Sequence, residues 1–222
     1  MAEGISEHII LRLARYLRVL QKLRSLGFVK VFSNNLGDAI GVSPAVVRKD
    51  FSMISITGNK RGGYTIDHLI PELERILGKR ARQDVVLVGC GKIGRALIEY
   101  QEFKKEGINI AAAFDVDAKQ IGSHEDIPVF HTSELAGYVV EHGIRVGILA
   151  VPDSAAASVF EVMMQAGIRG FLNFTTVELK CSGKCPDDGC ESECVVQNVN
   201  ISLEIENLFY LVNLKSTLKS VV

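Results

Sequence analysis

The sequence contains no long, uncharged apolar run. A membrane-spanning helix needs roughly 18 or more consecutive apolar residues, and no uncharged stretch of this chain approaches that length. Charged residues also interrupt the first twenty positions, which argues against a secretory signal peptide. We therefore expect a cytoplasmic protein without a membrane partner.

The chain also lacks a recognisable set of catalytic side chains. Covalent catalysis needs a nucleophile beside a base, and we identify no such pair in the sequence. His124, His131 and His142 each stand apart from any partner, so loop or surface roles are predicted for them. This absence favours a binding protein over an enzyme.

The net charge is only −1, but the charges are unevenly distributed. Residues 1–83 contain 14 Lys and Arg against 7 Asp and Glu, whereas residues 84–222 contain 11 against 19. A basic module joined to an acidic one predicts that the first contacts a polyanion, such as nucleic acid, and that the second does not.

A glycine-rich turn follows an apolar strand in the middle of the chain. The strand Val85–Val88 leads into Gly89-Cys90-Gly91-Lys92-Ile93-Gly94, and Arg95–Lys105 follows at helical spacing. A second apolar run, Ile108–Phe114, closes on Asp115. This order with a Gly-x-Gly-x-x-Gly turn is the dinucleotide-binding fingerprint.

Each position of the fingerprint has a predicted role. Gly89 permits the tight turn, Gly91 lets a pyrophosphate approach the backbone, and Gly94 lets the helix pack on the sheet. Lys92 and Ile93 open the helix, whose free N–H groups attract phosphate. The carboxylate of Asp115 is placed to accept hydrogen bonds from a ribose and to repel a 2′-phosphate, which favours NAD(H) over NADP(H).

Later apolar runs extend the same fold. Val146–Pro152 and Gly170–Phe174 alternate with a helical stretch, Ala155–Gln165, which predicts a parallel, doubly wound α/β sheet. Ligands lie beyond the carboxyl ends of such strands. The residues expected to line that cleft are Val151, Pro152, Asn173 and Phe174.

Two short helices near the N-terminus resemble a helix-turn-helix. Ser33 is predicted to cap the first, Asn34–Ile40, and Ser43 the second, Pro44–Met53. The second is the expected recognition helix. The residues predicted there to contact DNA are Ser43, Arg48 and Lys49.

The segments around these helices also carry positive charge. A glycine-rich stretch, 57–64, has the composition of a winged-helix wing, with Lys60 and Arg61 placed to contact DNA. The preceding helix, Ser6–Leu26, carries a basic face that is either solvated or in contact with phosphate. Its basic residues are Arg12, Arg15, Arg18, Lys22 and Arg24.

The chain closes with a very apolar helical stretch, Leu203–Leu218. It is too apolar for a free helix, so it either folds back on its own core or packs on a partner subunit. A two-fold dimer would suit a helix-turn-helix protein.

With both motifs in hand, the chain resembles the Rex family of redox-sensing transcriptional repressors over nearly its whole length. The segments that carry the resemblance are Tyr16-Leu17-Arg18, Val47 to Ser52, Gly63-Tyr64, Val88 to Gly94, Phe114 to Asp117, Val151-Pro152 and Leu172 to Phe174.

The resemblance implies a homodimer with a swapped C-terminal helix. It further implies repression from a palindromic double-stranded DNA operator when NAD⁺ is bound or the site is empty, and release on binding NADH. Arg18 and Tyr100 match family positions that couple the two domains. With Asn200 and the partner's Ile201, they form the predicted switch, and Ile201 would close an apolar place for the nicotinamide ring.

The chain departs from the family pattern at three places. Lys60 occupies the usual place of the wing arginine, with Arg61 one residue closer to Tyr64. Met53-Ile54-Ser55 replaces a Tyr-Phe-Gly. Asn200 stands where an acidic residue is expected, so a hydrogen bond replaces the salt bridge expected with Arg18.

These features predict five segments. They are a winged-helix DNA-binding domain (1–78), a linker (79–84), a Rossmann NAD(H)-binding domain (85–180), a cysteine-rich insertion (181–198) and a swapped dimerisation helix (199–222).

The insertion contains four of the five cysteines within fourteen positions: Cys181, Cys185, Cys190 and Cys194. Four thiolates could converge on zinc or on an iron–sulfur cluster. A reversible dithiol switch and inert thiols are the alternatives, and a permanent disulfide is least expected in a reducing cytoplasm. Cys90 is expected to be a small packing residue, and the alternative is a thiol whose pKa is lowered by the helix N-terminus.

The sequence thus favours a dimeric, non-enzymatic repressor that responds to the NADH/NAD⁺ ratio. Two alternatives remain open at this point. One is an NAD-dependent enzyme fused to a DNA-binding module, and the other is a regulator that senses metal or thiol state through the cysteine cluster.

Overall fold

The computed structural model describes residues 6–56, 62–79, 83–120, 122–124, 126–181 and 194–219. The chain forms two compact units, residues 1–82 and 83–222. Within the described residues, no helix has both the length and the apolarity that crossing a bilayer demands.

The N-terminal unit is a small helical domain with one two-stranded sheet. Its elements are α1 (Glu7–Ser25), β1 (Lys30–Val31), α2 (Ser33–Ile40), α3 (Pro44–Met53), β2 (Tyr64–Thr65) and α4 (Ile66–Ile76). β1 and β2 are antiparallel, and Val31 pairs with Tyr64. The predicted helix-turn-helix is confirmed as α2 and α3. The wing cations Lys60 and Arg61 lie outside the described residues.

One aromatic stack joins the elements of this unit. The ring of Phe51 on α3 meets Tyr16 of α1 at 5.4 Å and Tyr64 of β2 at 5.0 Å between centroids, both edge to face. Phe51 and Tyr16 are fully buried. Edge-to-face pairs of this kind add about 0.5–1.5 kcal/mol to the burial of the rings themselves, so the stack fixes α3 against its supporting helix.

The predicted helix caps are partly right. The Ser43 hydroxyl accepts the Val46 N–H at 3.4 Å and Pro44 begins α3, as predicted. The cap predicted at Ser33 is wrong, because α2 begins at Ser33 itself. The Asn35 side chain instead accepts the N–H of Phe32 at 3.2 Å, which closes this helix end and leaves the Ser33 hydroxyl for another partner.

The second unit is a three-layer α/β domain. Its elements are β3 (Gln83–Val88), α5 (Lys92–Ile98), α6 (Glu102–Lys105), β4 (Ile108–Asp115), β5 (Gly122–His124), β6 (Ile127–His131), α7 (Leu135–His142), β7 (Val146–Leu149), α8 (Asp153–Gln165), β8 (Gly170–Asn173), β9 (Val195–Asn198) and α9 (Ile201–Lys219). β3 begins inside the segment predicted as a linker, because Gln83 already pairs with Ile108.

The strands of this unit form one sheet in the order β5-β6-β4-β3-β7-β8-β9. β5 is antiparallel, and the other strands are parallel. Without β5, the order is that of a Rossmann sheet, with the strand order reversing between β3 and β7. The predicted doubly wound sheet is therefore confirmed. β9 is an addition, because the sequence analysis assigned its residues to the cysteine insertion.

Alternate residues of β3 enter the cores on the two faces of the sheet. Val86 and Val88 pack with α7 and α8 on one face, whereas Val85 and Leu87 pack on the α5 side. This explains why the strand is apolar without interruption: each side chain is buried on one face or the other.

Candidate nucleotide and DNA sites

The glycine turn lies where β3 and β7 end side by side. Gly89 has φ +99°, and a Cβ there would overlap the carbonyl oxygen of Ala150. Its N–H donates to the Phe114 carbonyl at 2.8 Å. Only glycine combines this backbone conformation with so close an approach.

The other two glycines of the turn differ from each other. A Cβ on Gly94 would overlap the Gly89 carbonyl oxygen, so Gly94 lets α5 pack on the turn as predicted. A Cβ on Gly91 would meet no described atom within 4 Å. Packing within the described chain therefore does not require glycine at Gly91, and its missing side chain leaves room for a ligand. Lys92 and Ile93 follow as the first exposed residues of α5.

Asp115 ends β4 beside the turn and is held from two sides. Its carboxylate accepts the N–H of Cys90 at 2.6 Å and that of Asp117 at 2.8 Å. These bonds fix the carboxylate at the mouth of the turn, while each oxygen keeps a second lone pair for a ribose hydroxyl. Its role in ribose binding stays a prediction.

Cys90 is buried inside the turn. Burial, and then the negative charge of Asp115, raise the pKa of its thiol from 9.0 to about 11. The thiol is therefore protonated at neutral pH and unreactive, which fits the packing role expected for it.

An apolar cavity of about 350 Å³ opens beside Asp115. Its lining residues are Val88, Val116, His131, Thr132, Ser133, Leu135, Ala136, Ser158, Val159 and Val162. This cavity was not predicted from the sequence, because strand β6, on which His131 pairs with Asp115 in register, was not predicted either. The short apolar run Ile127–Phe130 was the available signal.

His131 at this cavity has a defined orientation. Its Nδ1 accepts the N–H of Ser133 at 3.2 Å and lies 2.8 Å from the Ser133 hydroxyl oxygen. The carboxylate of Glu134 accepts the His131 N–H at 3.3 Å. With Nδ1 occupied as an acceptor, a neutral ring carries its proton on Nε2.

The loops after β7 and β8 are tied together at the other side of the turn. Asp153 begins α8 directly after Pro152, and its carboxylate accepts both the N–H, at 2.9 Å, and the hydroxyl of Thr176. These bonds lower the pKa of Asp153. Half-buried Val151 precedes Pro152 and packs against the core, and the Phe174 N–H donates to Leu149 at 2.8 Å.

Asn173 was predicted to line the cleft, but its side chain is fully buried and serves the loop that follows. Its amide donates to the Val177 carbonyl and to the Asn198 side chain, each at 2.8 Å. Its oxygen accepts the N–H of Thr175 at 3.0 Å. The structure therefore gives Asn173 a positioning role. Direct contact with a ligand stays an untested prediction.

The recognition helix α3 has a buried face and a basic, exposed face. Val47 and Phe51 are fully buried, whereas Arg48 and Lys49 are exposed. The Arg48 guanidinium donates to the Ser33 hydroxyl at 3.1 Å, which holds the arginine across the start of α2. Ser43 is exposed at the N-terminus of α3, so all three predicted DNA residues on this helix face solvent.

An ion pair with a buried carboxylate, which was not predicted from the sequence, supports this helix. Arg12 of α1 donates two hydrogen bonds of 2.7 Å to Asp50, and the Tyr16 hydroxyl donates a third at 3.0 Å. Asp50 is only 1% exposed. Desolvation, together with Asp50, raises the pKa of Tyr16. The basic face of α1 was predicted to be solvated or to contact phosphate. Arg12 does neither, because it binds Asp50 and so holds α3 against α1.

The four predicted switch residues occupy exposed or partly exposed positions. Arg18 lies exposed on α1, and Tyr100 is 52% exposed and stacks edge to face on Phe103 at 5.1 Å. The Asn200 side chain accepts the Leu203 N–H at 3.0 Å. Asn200 is thus the N-cap of α9, and Ile201 is the first residue of that helix.

α9 has no covering within the described chain. Every side chain from Ile201 to Leu214 is exposed, including those of Phe209, which is 65% exposed, and Leu208. Of the two predicted arrangements, folding back on the chain's own core is therefore not seen.

The cysteine cluster does not show the predicted metal site. Cys181 and Cys194 form a disulfide, and a disulfide sulfur is not a thiolate ligand. The described residues contain no group of three or more His, Cys, Asp or Glu suited to a metal. Cys185 and Cys190 lie outside those residues. A disulfide had been the least expected state, and the close approach of the two ends of the insertion explains it.

Two family models match the chain, one in each unit. The CoA binding domain matches residues 81–177, and the putative DNA-binding protein N-terminus matches residues 4–52. The first match covers β3 to β8 with the glycine turn, and the second covers α1, α2 and all but the last residue of α3.

Curated relatives align over nearly the whole chain. A redox-sensing transcriptional repressor Rex of Desulforamulus reducens is 38% identical over 212 residues, covering 95% of this chain and 97% of its own. One of Streptococcus agalactiae serotype Ia is 32% identical over 216 residues, covering 96% and 99%.

Solved structures show the same fold. RSP, described as a Rex-family repressor, superposes with a TM-score of 0.81 at 26% identity, covering 98% of each chain. RSP bound to β-NAD⁺ and operator DNA gives 0.85 at 26% identity, covering 98% of this chain and 96% of that one. RSP bound to β-NADH gives 0.80 at 26% identity and 99% coverage of both.

Identity above 30% over nearly complete chains, with both units and the glycine turn in place, leads to one conclusion: the protein belongs to the Rex family of redox-sensing transcriptional repressors.

Proposed function

We propose that this protein is a DNA-binding repressor that senses the NADH/NAD⁺ ratio and releases a palindromic operator when NADH binds. The observation that carries the proposal is the presence, in one chain, of a dinucleotide turn and a helix-turn-helix with an exposed basic face. The RSP structures with β-NADH and with β-NAD⁺ and operator DNA support it.

The nucleotide fits the residues at the glycine turn. The open side of Gly91 and the start of α5 receive the pyrophosphate, Asp115 accepts the ribose hydroxyls, and the apolar cavity beside Val116 and His131 takes the adenine. The nicotinamide extends toward Val151, Pro152 and Phe174. Asp115 disfavours a 2′-phosphate, so NAD(H) is the cofactor pair.

The discrimination between NADH and NAD⁺ belongs to the nicotinamide end. The two forms differ there by one positive charge. An apolar pocket buries the neutral reduced ring readily, whereas it desolvates the cation at a cost. In the proposed dimer, Ile201 of the partner subunit closes this pocket, with Arg18 and Tyr100 coupling the nucleotide to the DNA-binding domain.

The DNA partner binds along α3. Arg48 and Lys49 contact base edges or phosphates, and Ser43 lies at the end of α3 that enters the major groove. Lys60 and Arg61 extend the contact from the wing. A homodimer supplies two such helices, and α9 packs on the partner subunit.

The protein acts without catalysing a reaction. The curated relatives, which are named repressors, support this part of the proposal. A cytoplasmic location follows from a partner that is genomic DNA.

Operator binding titrated with each nucleotide tests the function. Duplexes are first selected by the protein from a random-sequence pool in the presence of NAD⁺, and the selected palindrome is then used in a gel shift. We expect NADH to dissociate the complex and NAD⁺ at equal concentration to leave it intact. By linkage, the operator must weaken NADH binding by the same factor. Equal operator affinity with both nucleotides at saturation would refute the proposal.

A further inference from the structure

The disulfide between Cys181 and Cys194 joins two segments that are already held together without it. Asn198 of β9 accepts the N–H of Leu179 and donates to its carbonyl, each at 3.1 Å. The same side chain accepts from Asn173 at 2.8 Å. β9 also pairs with β8 along its length, from Gly170 with Val195 to Asn173 with Asn198.

Because of this clamp, breaking the disulfide does not release its two cysteines from each other's neighbourhood. Their Cα atoms are 5.8 Å apart, a separation at which disulfides form without backbone movement. Both residues are partly exposed, so small thiols and disulfides reach them. The pair is therefore arranged to open and close while the fold stays intact.

The disulfide also lies close in sequence to the helix α9. Cys194 directly precedes β9 and packs against the hydrophobic core of the unit. Only β9 and the two residues 199 and 200 separate it from α9. The disulfide adds a covalent link at the start of β9, next to the hydrogen bonds of Asn198 and the pairing of β9 with β8.

We propose that Cys181 and Cys194 form a thiol–disulfide switch that gives this protein a second redox input, from the cellular thiol pool. The inference rests on the proposed function, because its output is the response of operator binding to NADH. In the disulfide form, Cys181 holds the start of β9 covalently, whereas in the dithiol form β9 is held only by β8 and by the hydrogen bonds of Asn198.

The chemistry is thiol–disulfide exchange with a low-molecular-weight disulfide such as oxidised glutathione. One cysteine thiolate attacks that disulfide, forming a mixed disulfide and expelling one thiolate. The second cysteine thiolate then attacks the mixed disulfide, closing the Cys181–Cys194 bond and expelling the second. Two electrons pass from the cysteine pair to the small disulfide, which leaves as two thiols.

Equilibration of the native protein in glutathione buffers, followed by trapping of free thiols with an alkylating agent and peptide mass mapping, tests the pairing. We expect Cys181 and Cys194 to convert together and reversibly, and buried Cys90 to stay protected throughout. Persistence of the disulfide in a large excess of reduced glutathione would show a merely structural bond. Pairing of either cysteine with Cys185 or Cys190, or zinc retained by the reduced protein, would equally overturn the proposal.

The functional test compares the NADH concentration that half-dissociates the operator complex for the reduced and oxidised forms. We expect the two values to differ by about fivefold or more, the usual scale of coupling between sites. Cys181→Ser/Cys194→Ser should give one value under both conditions. Cys185→Ser/Cys190→Ser is the matched control and should keep the difference.

The outcomes separate this inference from the proposed function. If NADH has the same effect on operator binding in both redox states, the thiol–disulfide switch is refuted, but the proposed repressor function is not. Failure of NADH to act in either state overturns the repressor. The comparison of the two wild-type forms needs no variant, so a folding defect in the double serine mutant does not blunt the test.

Discussion

Asp115 has two tasks at the scale of a single residue. It faces the proposed ribose, and it also accepts the Cys90 N–H that closes the glycine turn. A change to alanine therefore removes the proposed ribose contact and a support of the turn together. A change to asparagine keeps one acceptor oxygen, but it removes the charge and one of the two backbone hydrogen bonds that the carboxylate accepts.

We expect Asp115→Asn to weaken NADH binding by about tenfold or more, since a hydrogen bond to a charged group is worth about 1.5–3 kcal/mol. The preference for NADH over NADPH should narrow, because the 2′-phosphate no longer meets a negative charge. Titration calorimetry with both nucleotides measures this. Asp117→Asn, two residues along the chain, is the control and should keep the preference. Equal affinity of the native protein for the two nucleotides would remove the ribose role.

The Arg12–Asp50 ion pair is expected to contribute to the free energy of unfolding of the N-terminal unit. Arg12→Leu leaves a buried carboxylate without its partner, which costs about 3–5 kcal/mol. Urea unfolding should show this loss in the N-terminal unit. Arg15→Leu, on the exposed face of the same helix, should change stability little. A small effect of Arg12→Leu would mean that solvent or Tyr16 compensates the charge.

The sequence predicted the role of a residue correctly where that role depends on neighbouring residues in the chain. Gly89 and Gly94 were identified because a tight turn and a close helix leave no room for a side chain. The hydrogen-bonding roles of Asn173 and Arg12 were not predicted, because their partners, Asn198 and Asp50, lie 25 and 38 positions away. A hydrogen bond across that separation leaves no periodic signal.

At the scale of elements, α3 presents two cations in different settings. Arg48 is braced by Ser33, whereas no described residue is seen to brace Lys49 in the same way. We expect Arg48→Ala to cost about 1–3 kcal/mol of operator affinity and to relax sequence preference. Lys49→Ala should weaken all sequences alike and flatten the salt dependence.

Gel shifts with selected and scrambled duplexes over a range of salt concentrations distinguish these effects. Ser33→Ala keeps the arginine but removes its brace, so it should give a smaller version of the Arg48 effect. NADH affinity should be unchanged in all three variants. Operator binding that is undiminished in both cation variants would contradict the recognition-helix assignment.

α9 gives the second prediction at this scale. A helix that exposes apolar side chains along its described length needs a partner, and burying one side chain such as Leu or Phe stabilises by about 1.5–3 kcal/mol. We expect Leu208→Asp/Phe209→Asp to yield monomers that bind the operator weakly. Sedimentation measures the mass. Glu206→Gln on the same helix is the control. A stable dimer of the doubly substituted protein would place the interface elsewhere.

The elements were predictable to different degrees for a physical reason. α3 and β3 have strong signals, a capped start with proline and an uninterrupted apolar run. β9 was missed because Val195–Asn198 is short, lies at the edge of the sheet and follows the cysteines, so its pairing with β8 depends on contacts that local sequence does not record. β5 is also short and lies at the opposite edge of the sheet, whereas β6 is an interior strand whose apolar run, Ile127–Phe130, was overlooked.

At the scale of the whole molecule, most of the architecture follows from the sequence. Two units, a winged-helix type and a Rossmann type, were expected and are present. The cavity beside His131 was not expected, because its lining comes from several elements: β3, the segment after β4, the end of β6 and the helices α7 and α8. Such a site can be recognised only when the order of the strands in the sheet is known.

The short path from β9 to α9 has a last consequence. Only residues 199 and 200 separate the edge strand of the nucleotide sheet from the helix. If α9 packs on the partner subunit, two residues connect the sheet of each subunit to a helix bound to the other subunit. A movement of one sheet is then transmitted to the other subunit. The two NADH molecules of a dimer should then bind cooperatively, with a Hill coefficient above one. Glycines inserted after Val199 should lengthen this connection and make it flexible, so the Hill coefficient for NADH binding should return to one.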